Sequence, residues 1–182
     1  MPDDKAAQRT RRIFLALWPN DTVRDQLEQQ LSPLYKKKGP RRVPRRNWHI
    51  TLAFLGNVSQ QVYDCAMQQA GQIRAEPFAL TLSTLGYWSR PRVVWVGTDA
   101  TPGALIQLVQ DLNRALHPCG YQPEHVDYVP HLTILRKATQ APTLKTISPV
   151  RWQVNDFVLV ESVTSQRGSE YQVVQRWSLQ NH

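Results

Sequence analysis

Two short segments of this 182-residue chain carry the same pattern. His49-Ile50-Thr51-Leu52 and His131-Leu132-Thr133-Ile134 both read histidine, aliphatic, threonine, aliphatic. One such tetrapeptide arises by chance in roughly 1% of chains of this length and composition, and two far more rarely. Imidazole titrates near neutral pH, so a histidine pair can hold one neutral and one charged member at once. Opening a phosphodiester asks for that pair: a base to deprotonate the nucleophile and an acid to protonate the departing oxygen. Threonine hydroxyls beside them can donate to the non-bridging phosphate oxygens and steady charge in the transition state. A strained five-membered cyclic phosphate needs no further help for its leaving group, so the chemistry expects no metal and no cofactor.

A single His-x-Thr is more often a satisfied, half-buried pair than a catalyst. The doubled occurrence turns that around. Zinc is the competing use of histidine, and it wants a third or fourth ligand. The remaining histidines are His117 at a helix end, His125 in a loop and His182 at the terminus. His125 alone has a place near the motifs, and no metal-ligand spacing recurs.

The motifs need strands to aim them. In a strand, residues two apart share a face, so each motif sends imidazole and hydroxyl one way and its aliphatics into the core. Hydrophobic patterning predicts strands over 12–18, 48–55, 78–85, 92–97, 128–135, 153–160 and 171–174. It predicts helices over about 22–34, 59–74 and 102–116, with Asn20-Asp21, Ser59 and Pro102 at their starts. The order is strand, helix, strand, helix, strand, strand, helix, strand, strand, strand. That is an α+β chain with mostly antiparallel pairing and helices on one face. The length suits one domain over 1–182, with a polar, frayed tail at 1–11. The recurrence of the motif in two strand contexts reads as an internal duplication, one motif per lobe.

A net charge of +8 favours an anionic partner. Seven cations lie just ahead of the first motif: Lys36, Lys37, Lys38, Arg41, Arg42, Arg45 and Arg46. Broken by Gly39, Pro40 and Pro44, this stretch reads as a loop. It serves either as an electrostatic platform for nucleic-acid phosphates or as a solvated, solubilising segment. Trp48 beside it faces away from His49 in a regular strand and belongs to the core, whereas Trp88, near Arg90 and Arg92, suits stacking on a nucleotide. No apolar run approaches a membrane span, and no export signal precedes the first strand. The two cysteines, Cys65 and Cys119, show no metal or redox spacing and read as unpaired packing residues, which with the missing signal implies the cytoplasm. Nothing calls for an obligate partner, so a monomer is expected.

With their contexts, Asn47 to Gly56 and Val129 to Arg136, the two motifs resemble those of the two-histidine phosphoesterase superfamily. Within it the match is to the bacterial and archaeal RNA 2′,3′-cyclic phosphodiesterases, historically called 2′-5′ RNA ligases. The resemblance takes in the opening Arg12-Ile13-Phe14-Leu15-Ala16, the Val93-Val94-Trp95-Val96-Gly97 strand, and Glu161-Ser162, Gly168, Tyr171 and Trp177 near the end. Ile134 replaces the usual leucine conservatively. The resemblance implies a bilobal fold, two mostly antiparallel sheets around a central cleft with helices on the outer faces. It implies hydrolysis of RNA 2′,3′-cyclic phosphate ends to 2′-phosphates, and a weak, reversible 2′-5′ joining without ATP; the chain has no Lys-x-Asp-Gly or Walker A motif. Carried over by position, His49 is the general acid and His131 the general base, while Thr51, Thr133 and Arg136 hold the phosphate and Phe54 stacks on the terminal base. Strand alternation puts Phe54 on the core face with Leu52 and Arg136 opposite His131, so both roles need a bulge or bend. Two other uses of the motifs stay open at this level. One is a non-catalytic module for phosphate-terminated RNA ends; the other is a sister phosphodiesterase acting on 2′-5′ oligonucleotides or ADP-ribose cyclic phosphate.

Overall fold

A run of five buried residues, Ile13 to Leu17, makes β1 (Arg11–Leu17) a strand covered on both faces and sets it inside the sheet. The computed structural model describes residues 10–36, 38–125, 127–166 and 168–180. After β1 come α1 (Asp21–Leu31), β2 (Arg41–Arg42), β3 (Ile50–Val58) and α2 (Gln60–Ala70). β4 (Phe78–Trp88), β5 (Val93–Gly97), α3 (Gly103–Leu116) and β6 (His131–Arg136) follow. β7 (Thr146–Val154), β8 (Asp156–Ser165) and β9 (Gly168–Ser178) close the chain. Asn20 caps α1 through its side chain, which accepts from the Val23 amide at 2.9 Å, and Ser59 does the same for α2 at Val62. Both caps satisfy donors that the first helical turn leaves free.

The strands form one antiparallel sheet in the order β7-β4-β5-β6-β3-β1-β8-β9, with β2 beside β6. The two expected sheets are its halves. Each half has four strands, with the two-residue β2 added beside β6 as the ninth, and the halves meet where β3 and β6 share a single pair, Ile50 with Leu132. The β1-α1-β3 connection recurs as β5-α3-β6, so each motif lies on or at the start of the innermost strand of its half. α1 packs against β7, while α2 and α3 pack on each other and on β3. Trp48 is fully buried in the core beneath the joint.

Three expectations change. Arg11 is not tail: it opens β1, pairs with Glu161 on β8 and lies 3.7 Å from the centroid of the Tyr63 ring. Residues 1–9 lie outside the described residues. The single strand expected at 153–160 is two, β7 and β8, divided at Asn155. Pro149 disguised β7, because proline fits only an edge strand, and β7 is an edge.

The third correction concerns the cysteines. Cys65 on α2 and Cys119 after α3 are joined in a disulfide across 54 residues of sequence. Spacing along the chain concealed the pair, because the α2–α3 contact that brings them together is tertiary. Closing a loop of this size stabilises by about 4 kcal/mol on the chain-entropy account. Reductant, or Cys65→Ala, is therefore expected to lower the melting temperature by several degrees. Identical melting curves with and without reductant would remove the bridge as a stabiliser.

Candidate active site

The joint between the halves sets the chemistry. In the antiparallel pair of Ile50 with Leu132, the flanking residues His49, Thr51, His131 and Thr133 all project from the opposite face. The two aliphatics are fully buried below. His49 then stands across from Thr133 and Thr51 across from His131, with the histidines as diagonal neighbours. Such neighbours lie roughly 7–8 Å apart, room for one phosphate between two rings.

Each motif is followed by the same irregularity. On β3 the ladder passes from Ala16–Thr51 to Leu15–Ala53, leaving Leu52 unpaired. On β6 it passes from Trp95–Thr133 to Val94–Leu135, leaving Ile134 unpaired. A bulge of one residue reverses the facing of everything after it. Phe54 and Arg136, each five residues past its histidine, therefore come round to the motif face. Phe54 is 37% exposed and lines the cleft, as does Arg136. The two repeats place a ring at one equivalent position and a cation at the other.

Both imidazoles are pinned in the same way. The Nδ1–H of His49 donates to the Asn47 carbonyl at 2.7 Å, and that of His131 to the Val129 carbonyl at 2.8 Å. A carbonyl can only accept, so each Nδ1 carries its proton and each Nε2 of a neutral ring keeps its lone pair. Thr51 Oγ1 lies 3.1 Å from His49 Nε2. Around His49 stand Phe14, Tyr171 and a nearly parallel Trp18, with centroids at 4.7, 5.5 and 5.9 Å. Against His131 stand Trp88 at 4.5 Å and Trp95 at 6.2 Å. Burial pushes His49 down to about 4, against the pull of the Asn47 carbonyl, and the charges of His131, Arg136 and Arg24 push the same way. Burial also lowers His131, with Arg136 adding to it.

Glycine is what admits Trp95, a contribution that the sequence reading missed. A Cβ on Gly86 would sit 2.1 Å from Trp95 Cζ2, and one on Gly97 2.6 Å from Cζ3. Glycine inside a strand signals such a close approach. Gly86→Ala is expected to cost 1–3 kcal/mol by overpacking and, by shifting Trp95 and Trp88, to lower turnover. Gly103→Ala, where a Cβ meets nothing within 4 Å, is the control. Melting and turnover unchanged in Gly86→Ala would show the aromatic wall to be inert.

A cleft of about 1240 Å³ opens over the four motif side chains. Arg12, Arg90 and Arg136 line it, and Arg12 lies 5.0 Å from the centroid of the Phe54 ring. The basic stretch is not a free loop: β2 pairs with β6, Arg41 opposite Arg136. Arg42 pairs with Glu28 and covers the Tyr35 ring, and Arg45 pairs with Asp25. Among the described residues, Arg41 and Arg46 form no ion pair, unlike Arg42 and Arg45; Lys37 lies outside those residues. Trp88 packs on His131. Also among the described residues, no three histidine, cysteine, aspartate or glutamate side chains converge as a metal site, and no helix is long and apolar enough to cross a membrane.

A family model described as the 2′-5′ RNA ligase superfamily matches residues 19–166. The chain is 34% identical to an RNA 2′,3′-cyclic phosphodiesterase of Escherichia coli over 170 residues, 92% of this chain and 96% of that one. It is 30% identical to the protein of the same name from Thermotoga maritima, over 90% and 92% of the two chains. Its fold superposes on the crystal structure of E. coli LigT complexed with 3′-AMP with a TM-score of 0.88 at 32% identity, covering 95% of this chain and all of that one.

Proposed function

This chain belongs to the 2′-5′ RNA ligase superfamily, and from that premise we propose that it hydrolyses the 2′,3′-cyclic phosphate of RNA ends to a 2′-phosphate. The observation that carries the reading is the pair of Nδ1-anchored imidazoles flanking one strand joint, their Nε2 atoms left for chemistry. His131 Nε2 takes the proton of a water whose oxygen bonds to phosphorus. His49 Nε2, protonated, gives its proton to the 3′ oxygen as the phosphorus–O3′ bond breaks, leaving the phosphate on O2′. Thr51, Thr133 and Arg136 bind the non-bridging oxygens, whose charge grows in the transition state. Phe54 stacks on the terminal base. With a 5′-hydroxyl in place of water the same forward exchange bonds O5′ to phosphorus as the phosphorus–O3′ bond breaks, which gives slow 2′-5′ joining without ATP.

Because burial holds His49 near 4, the anionic phosphate must draw the acid's proton in with it. A substrate with sulfur at the 3′ bridging position tests the division of labour, since a thiolate leaves without protonation. His49→Ala should then recover to within about tenfold of the wild type while His131→Ala stays impaired; recovery of His131→Ala instead would exchange the roles. The reading makes the enzyme a metal-independent monomer of the cytoplasm, although a reducing cytoplasm would tend to open the Cys65–Cys119 bridge. The direct test is a cyclic-phosphate dinucleotide assayed with EDTA present. Release of the 2′-phosphate is expected; loss of turnover restored by zinc would overturn the metal-free mechanism.

A further inference from the structure

Among the described residues, β8 pairs with β1 only from Val158 to Glu161. Past that point its one strand partner is β9, from Ser162 opposite Tyr171 to Ser165 opposite Gly168. A two-stranded ribbon standing alone is at best marginally stable in water. This one nevertheless carries a wall of the site. The Tyr171 ring stands edge-on to His49 at 5.5 Å and to Phe14 at 5.1 Å. Whatever holds the ribbon down also holds that ring against the imidazole.

The hold comes from the segment just ahead of the first motif. Asn47 donates from its side-chain amide to the Ser169 carbonyl at 3.3 Å, across 122 residues of sequence. Beside it Arg41 comes so near Gly168 that a Cβ there would lie 3.3 Å from the guanidinium. Asn47 is only 6% exposed, and it does not line the cleft. Backbone bonds from Asn47 to Pro44 and from Trp48 to Arg45 fix its own turn, so the amide is a short arm on a rigid base. The carbonyl of the same residue accepts from His49 Nδ1–H at 2.7 Å. One residue therefore meets the imidazole twice, directly through its backbone and indirectly through Ser169 and Tyr171. The second motif has no such tether. There Val129 offers only its carbonyl, and Tyr128 donates to the Thr51 carbonyl at 3.0 Å, within the joint itself.

Resting on the proposed hydrolase activity, we propose that Asn47 is a positioning residue, whose side-chain amide fastens the β8–β9 ribbon to the anchor of His49 and so fixes the imidazole that serves the 3′ oxygen. It acts through His49 and touches no substrate. An imidazole that must bring Nε2 to one oxygen of a phosphate tolerates little error, because a misplacement of about 1 Å costs up to about 100-fold in rate.

Two variants separate the bond from the bulk. Asn47→Leu keeps the volume and removes the donor, while Asn47→Ala removes both and should match it in every readout except a lower melting temperature. On a 2′,3′-cyclic-phosphate dinucleotide Asn47→Leu should lower kcat roughly 10–100-fold with KM within about twofold. On the substrate with sulfur at the 3′ bridging position it should recover as His49→Ala does, since a residue acting through the acid is dispensable where no acid is needed. General damage to the fold would lower both rates alike. Wild-type kcat in Asn47→Leu on the oxygen substrate overturns the proposal, and so does an equal loss on both substrates while His49→Ala recovers on sulfur. NMR of the histidine ring protons asks the same question without turnover. The His49 Nδ1–H should exchange with water at least about tenfold faster in Asn47→Leu than in wild type, with that of His131 within about twofold. Equal exchange at His49 in the two proteins overturns the proposal whether or not cyclic phosphate is opened. Faster exchange in a protein that opens no cyclic phosphate upholds the role of Asn47 and sinks only the hydrolase activity.

Discussion

Alanine at His49 or His131 is expected to lower kcat on a 2′,3′-cyclic-phosphate dinucleotide about 10³-fold, with KM moved only a few fold. In the proposed mechanism each imidazole handles a proton in the transition state, whereas binding is spread over Thr51, Thr133, Arg136, Phe54 and the cleft walls. A group acting only in the transition state lowers kcat and kcat/KM together. The double variant should lose little beyond either single one, because acid and base serve the same bond exchange. The two rings sit differently, His49 among Phe14, Trp18 and Tyr171 and His131 against Trp88 and Trp95. A similar loss from both would show that chemistry, not packing, dominates. Full activity in either variant would end the two-histidine mechanism.

Acid should destabilise the fold through the same residue. His49 titrates at about 4 in the folded chain against 6.5 for a free imidazole. Between those values the unfolded chain binds the proton and the folded chain resists it, so acid favours unfolding. Stability is full above 6.5, falls as the pH drops, and levels off below 4 as far as His49 is concerned. At about 1.36 kcal/mol per pH unit the loss is roughly 3 kcal/mol. His131, also lowered by burial, adds in the same direction. Urea midpoints at pH 7 and pH 4.5 measure this directly. His49→Gln, which cannot take up a proton, should be less stable than wild type at pH 7 yet lose clearly less on acidification. An equal loss in both proteins would assign the acid sensitivity to other groups.

Thr51 and Thr133 were legible because period-two alternation is a local property of a strand. The same holds for Ile50, Leu132 and Trp48, whose burial follows from the pattern. The helix starts at Asn20 and Ser59 were legible too, since a cap is settled within four residues. Phe54 and Arg136 were harder. Alternation alone points both away from the site, and only the bulges at Leu52 and Ile134 turn them back. A hint was present: the last aliphatic of each motif is followed by another apolar residue, giving Leu52-Ala53 and Ile134-Leu135, which are all buried. A regular half-exposed strand does not bury two neighbours in succession.

The sequence by itself determined the two histidine–threonine pairs, their shared facing within each motif and the alternation of strands and helices, because these depend on neighbours a few residues away. Tertiary structure alone decided the joining of β3 to β6 at one residue pair, the Cys65–Cys119 bridge, the seating of Trp95 over Gly86, and the ion pairs that occupy Arg42 and Arg45. Each of these brings together groups distant along the chain. Their meeting depends on how helices and strands pack, and no local pattern encodes it.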